Sequence, residues 1–280
     1  MNLVREDKTL HNNKIKATVN SICGFFQGGC AGALFLSLCE EKDKMTIIHT
    51  KFLIHWTGKK FHIPTDPLND ELRDNYVEAL INILENGFKM EKGKEEILDL
   101  DGKLLETFIS RVCFTEIKLS LARKHAQRYG LLGLGVDRDF VLKRYGNPVF
   151  YMKSGDSNVA VNANKVLEFL KEHDKKGAIL LEYRTLLAYF KNMNDKDSND
   201  LTYYDELEWR ITHLNRLEDE GRLSVVDRIN HIYLLKLKPV DVKVLVFPDE
   251  KTKTQAFNDT RLSKLIEKPI CLTIDDCENF

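Results

Sequence analysis

Apolar residues recur at Val77, Leu80, Ile81 and Leu84, and Asn86-Gly87 follows directly. That i, i+3, i+4, i+7 spacing predicts an amphipathic helix over residues 74–86 with a glycine at its C-terminal cap. Such a helix needs a second layer to cover its apolar side, and the sequence supplies β-rich runs on both sides of it. Residues 46–57 (TIIHTKFLIHWT) come before it, and 111–115, 131–136, 148–152, 203–211, 231–237, 241–247 and 270–274 come after. Further helices are predicted near 119–129, 138–145, 159–173 and 178–193, and NDKDSND at 194–200 reads as a polar loop. Strands and helices alternate irregularly, which predicts an α+β fold with a mixed central β-sheet and flanking helices. A doubly wound parallel sheet would require a regular alternation.

The 280 residues suit one large domain or two small ones, and a formal net charge of −1 gives no global basic field for nucleic acid or membrane. A local basic groove stays open. The six cysteines form no CxxC pair and no zinc-like grouping with histidine, so they read as reduced thiols of a cytoplasmic protein. Residues 21–39 (SICGFFQGGCAGALFLSLC) are apolar, yet Gln27 and several glycines interrupt them. A buried helical hairpin or an oligomer contact suits them better than a membrane span. Residues 1–44 therefore read as an N-terminal extension with an apolar helical segment, placed before a main domain over 45–280. HExxH, GxxxxGK[ST] and GxSxG are all absent, and no metal site is expected. GLLGLG at 130–135 has the spacing of neither nucleotide fingerprint and reads as a close-packed strand.

Three stretches carry candidate chemistry. In Ile54-His55-Trp56-Thr57, the histidine suits a hydrogen bond to a sugar hydroxyl, and Thr57 suits holding the ring tautomer. A half-buried structural histidine fits the same residues. In Cys113-Phe114-Thr115-Glu116, the last two residues suit capping of the following helix, and Cys113 has no activating base nearby in sequence. In YYDELEWRI (203–211), a strand would put Tyr204, Glu206, Glu208 and Arg210 on one face. Two such carboxylates suit chemistry in which positive charge develops on a sugar. Taken alone, the stretch also reads as a solvated strand face.

Together these stretches resemble the AbiGi family of abortive-infection (phage-resistance) proteins. The resemblance rests on CFTEIKLSLARKHAQRYGLLGLGVDRDFVLKRYGNPVFYM (113–152), on YYDELEWRI and on the strand pair near 231–247, and it spans roughly residues 46–250. Some descriptions of the family call its members antitoxins. The motif order is also similar to that of mono-ADP-ribosyltransferases, above all the DarT-like enzymes that modify nucleic acid. That resemblance implies an ADP-ribosyltransferase-like fold with NAD+ as substrate and no metal. It implies Glu208 as the catalytic glutamate and Glu206 as the group orienting the acceptor. His55 would contact the nicotinamide-side ribose, with Thr57 beside it holding the ring tautomer or contacting the same ligand, and Phe114 or Tyr129 would stack near the nicotinamide. Arg210 has no standard place in that scheme and would bind phosphate or brace Glu208. The Ser-Thr-Ser and tyrosine-pair motifs of the transferase branches are both missing.

The reading that follows is a phage-defence effector that transfers ADP-ribose from NAD+ to an RNA or DNA acceptor, with a cognate antitoxin or chaperone as partner and no membrane. The alternative is a non-catalytic antitoxin or binding module that keeps the fold without the chemistry. A nuclease using Glu116, Glu206 and Glu208 around a divalent ion is a third reading, and no Asp-rich or Glu-x-Lys arrangement supports it.

Overall fold

A computed structural model describes residues 52–61, 68–155, 157–193, 206–265 and 269–279. The N-terminal extension, its apolar segment at 21–39, the polar loop at 194–200 and Tyr203 to Asp205 lie outside the described residues.

Strand β1 (Phe52–Thr57) leads into helix α1 (Asp70–Asn86), then the long strands β2 (Phe88–Leu98) and β3 (Leu104–Thr115). Next come α2 (Ala122–Tyr129), β4 (Leu132–Asp137), α3 (Arg138–Leu142), β5 (Asn147–Pro148) and β6 (Phe150–Met152). Helices α4 (Asn158–His173) and α5 (Ala178–Leu187) precede β7 (Phe190–Asn192) and β8 (Glu208–Thr212). The chain continues through α6 (Asn215–Asp219), β9 (Leu223–Asp227), β10 (Ile232–Leu235), β11 (Val242–Phe247), α7 (Glu250–Asn258), α8 (Leu262–Leu265), β12 (Ile270–Thr273) and α9 (Ile274–Cys277).

The main sheet runs β12-β11-β4-β1-β3-β2-β10-β9, and β8 joins β3 to β5. Its pairs are antiparallel except β11 with β12. The fold is thus mixed, with a mostly antiparallel central sheet and flanking helices. No helix among the described residues is long and apolar enough to cross a membrane.

Helix α1 forms as its spacing dictates. The Asn69 side chain accepts from the Leu72 N–H at the start, and Val77, Leu80, Ile81 and Leu84 are buried on one side. Gly87 ends it with φ 98°, and a Cβ there would sit 2.2 Å from the Leu235 carbonyl oxygen, so only glycine fits the exit. The buried side meets Phe88, Phe114, Leu134 and Phe247 in the largest core. The opposite sheet face carries a smaller core of Ile54, Trp56, Val244 and Val246 under Ala122, Ala126 and Ile274. β4 is buried on both sides because its glycines make room, Gly133 lying against the Trp56 ring. A third cluster joins Ile97 and Leu105 to Ala160, Leu167 and Leu187.

Several elements differ from expectation. β2 has no counterpart among the predicted elements, and β3 pairs with it from Leu98↔Leu104 to Glu91↔Arg111. The segment predicted as one helix over 178–193 stops at Leu187, and Phe190–Asn192 instead pairs in parallel with Phe150–Met152. Tertiary pairing overrides the helical pattern there. The helix Glu250–Asn258 carries too weak an apolar stripe to be read from sequence.

Candidate binding cleft

The site lies where the sheet forks. β3 offers Arg111 to both β2 and β8, so these two strands occupy its two edges. Thr115 is taken by Glu208 on the β8 edge, so Ile54 of β1 pairs with it on the β2 edge. β1 therefore leaves β3 after a single pair, and β2 takes over the same edge. The carbonyl of Cys113, freed at the fork, is bonded by the His55 Nδ1 at 2.9 Å. The neighbouring Trp56 Nε1 donates to Thr115 Oγ1 at 3.1 Å.

A cavity of about 780 Å³ opens at the fork, lined by His55, Arg111, Tyr129, Lys191, Glu208 and Arg210 among others. A second, of about 810 Å³, lies on the α1 side and shares His55, Trp56, Lys59, Arg111, Cys113 and Tyr129 with it. Among the described residues no group of three or more His, Cys, Asp or Glu side chains is arranged to hold a metal.

The two glutamates are not on a solvated face. Glu206 is 1% exposed, Glu208 4% and Arg210 1%. β8 begins only at Glu208. Leu207 has φ 43°, which breaks the extended backbone, so Glu206 stands ahead of the strand rather than in its alternation. Both carboxylates nevertheless converge on Lys191, whose Nζ donates to Glu206 Oε2 and Glu208 Oε2 at 2.5 Å each. Arg210 adds Nε to Glu208 Oε1 at 2.6 Å and Nη2 to Glu208 Oε2 at 3.1 Å. The same Nη2 reaches Glu95 Oε1 at 2.7 Å, and its Nη1 donates to the Ala188 carbonyl. Glu206 also accepts from the Tyr129 hydroxyl and faces Arg128 at 3.6 Å. Burial pushes the Glu208 carboxyl up, but the Arg210 and Lys191 charges outweigh it and hold the group below the usual carboxylate range. Burial pushes Lys191 down, and the Glu208 and Glu206 charges more than restore it.

The other sequence candidates divide around β3. His55 is half-buried, with its ring against Phe88 and Phe114 at centroid distances of 5.0 and 5.9 Å. Glu208 and Arg210 pair with Thr115 and Cys113 and lie on the opposite face. His55 and Glu208 thus border one cavity without meeting. Phe114 is fully buried in the main core and presents no ring to a ligand, so Tyr129 alone of the two aromatic candidates lines the cleft. Thr57 lines the α1-side cavity. Arg210 braces Glu208, and every nitrogen of its guanidinium is engaged.

Thr115 and Glu116 do not cap the following helical turn. Thr115 is spent on Trp56, and Glu116 accepts from Trp209 Nε1 at 2.8 Å and from Arg138. Burial, and after it the Glu208 charge, push the Cys113 thiol up to about 12, which keeps it protonated. Sequence reasoning missed Lys191, Glu95 and Arg111, because the first sits in a stretch with a helical pattern and the others in charged or apolar runs without a motif.

Compared with known families, residues 85–247 match the family described as "Putative abortive phage resistance protein AbiGi, antitoxin". No curated protein and no solved structure matches the chain. The matched region is more than half of the chain and contains α2, β4, β8 and most of the cleft. The chain belongs to the AbiGi family of abortive phage resistance proteins.

Proposed function

We propose that the chain is the non-catalytic member of an abortive-infection system, an antitoxin that neutralises a partner toxin by binding it. One observation carries this reading beyond the family's description. Both oxygens of Glu208 are taken by buried cations of the chain itself, Arg210 and Lys191. A carboxylate that stabilises positive charge developing on a sugar needs that charge to be uncompensated until the transition state. Here the charge is neutralised in advance, which suits a structural brace. Co-expression with the partner toxin tests the reading: growth is restored and the two proteins copurify. Growth arrest caused by this chain alone contradicts it.

A second reading, a mono-ADP-ribosyltransferase acting on NAD+ with a nucleic-acid acceptor, draws support from the cleft itself. Tyr129, His55, Glu206 and Glu208 line one cavity whose volume suits a nucleotide. An ADP-ribosyltransferase-like fold belongs to this reading. Consumption of NAD+ by the purified chain, with and without RNA or DNA, separates it from the first.

A further inference from the structure

Arg111, Arg128, Lys191 and Arg210 face Glu95, Glu206 and Glu208 in the cleft. Arg210 is matched by Glu208, and Glu95 Oε1 is divided between Arg210 at 2.7 Å and Arg111 at 2.6 Å. Arg111 therefore shares a carboxylate with Arg210. Its Nη2 holds Glu95, while its Nη1 is buried and has no hydrogen-bond partner among the described residues. A buried charged donor left without an acceptor is costly, and native interiors keep few of them.

The seat of this guanidinium is built. Gly93 lies beside it in β2, and a Cβ there would stand 2.4 Å from the Arg111 Cζ, 2.5 Å from Nη2 and 2.6 Å from Nη1. A side chain at position 93 would push the fork aside. Arg111 also lines both cavities, together with Lys59 and the rings of Trp56 and Tyr129.

We propose that Arg111 is the anion-recognition residue of this cleft, and that its ligand is a nucleotide whose phosphate takes the open edge of the guanidinium. The planar fork suits a phosphate held by two parallel hydrogen bonds. The volume and the aromatic lining suit the attached nucleoside better than a bare inorganic anion. This inference is independent of the neutralising role, which growth rescue reads separately.

Titration calorimetry of the full chain with ATP and with NAD+ tests it. Saturable binding is expected for at least one of them, with inorganic phosphate as a competitor. Arg111→Lys keeps the charge and removes the fork, and Gly93→Ala displaces the guanidinium. Each is expected to weaken binding about tenfold to a hundredfold, the worth of one charge-assisted contact, in protein shown by circular dichroism to be folded. No binding of either nucleotide at millimolar concentration overturns the proposal, whatever the variants do. Unchanged affinity in folded Arg111→Lys also overturns it.

Discussion

Arg210 Nε donates to Glu208 Oε1 at 2.6 Å, from a residue two positions away on the same strand face, and both side chains are buried. Side chains at i and i+2 share a strand face, so YYDELEWRI contains its own ion pair before any tertiary contact is made. Lys191 then ties this pair to Glu206, which the turn at Leu207 brings in from ahead of the strand.

Removing one member of a buried charge network leaves the others uncompensated. Glu208→Gln is expected to lower stability by about 3–5 kcal/mol, the usual cost of breaking a buried pair from one side. Urea unfolding followed by circular dichroism measures it. A loss below about 1 kcal/mol would mean that the network is solvent-screened like a surface pair.

The pH dependence of stability follows from the groups whose titration the fold shifts. Glu208 is held low when folded, so its contribution is present above its unfolded value of about 4.3 and is lost as pH falls through that region. Burial also holds His55 below its unfolded value of about 6.5, outweighing its bond to Cys113, so protonation favours unfolding. Lys191 is held high, and its contribution is lost as pH rises above about 10.4. Burial holds the Cys113 thiol protonated when folded, while the unfolded thiol ionises above about pH 8.5. Thermal melts should therefore show a plateau from about pH 6.5 to about pH 8.5, a decline below it and a steeper decline below about pH 4.3, with stability also lost above about pH 8.5. His55→Gln should remove the first decline and leave the second.

Phe114 serves the core. It touches His55, Phe88 and Phe140 and is fully buried. Phe114→Ala should cost about 3–5 kcal/mol in unfolding experiments, as other large-to-small aromatic changes do. A stable Phe114→Ala protein with altered ligand binding would return this ring to the cleft.

Gly87 lets α1 end directly against β10. Gly87→Ala combines a φ of 98° with a clash on the Leu235 carbonyl, and at least about 2 kcal/mol of destabilisation is expected. Chemical denaturation measures it, and a neutral effect would contradict the exit geometry.

Helix α1 was legible in the sequence because its stripe and its glycine cap are local. So were β4, as a glycine-spaced strand, and the irregular order that gives a mixed sheet. The site was legible only in part. Glu208 and Arg210 could be placed on one face by alternation, but their burial could not, because β5 and the Lys191 side chain reach them from distant parts of the chain. Period-two reasoning failed at Glu206 because the positive φ at Leu207 leaves no mark that Leu itself would signal. Phe114 reads as a ligand platform from its motif alone, and only the fork decides which side of β3 faces α1. Arg111 and Gly93 lie on successive strands, and only the register of their pairing makes them one feature.

In the proposed antitoxin role, Glu208 is neutralised within the protein and carries no transfer chemistry. The most direct test of that role is NAD+ consumption by the purified full chain, alone and with RNA or DNA, beside the Glu208→Gln variant. No consumption above the protein-free control is expected in any of these. NAD+ cleavage by the wild type that is abolished in a folded Glu208→Gln protein would contradict it.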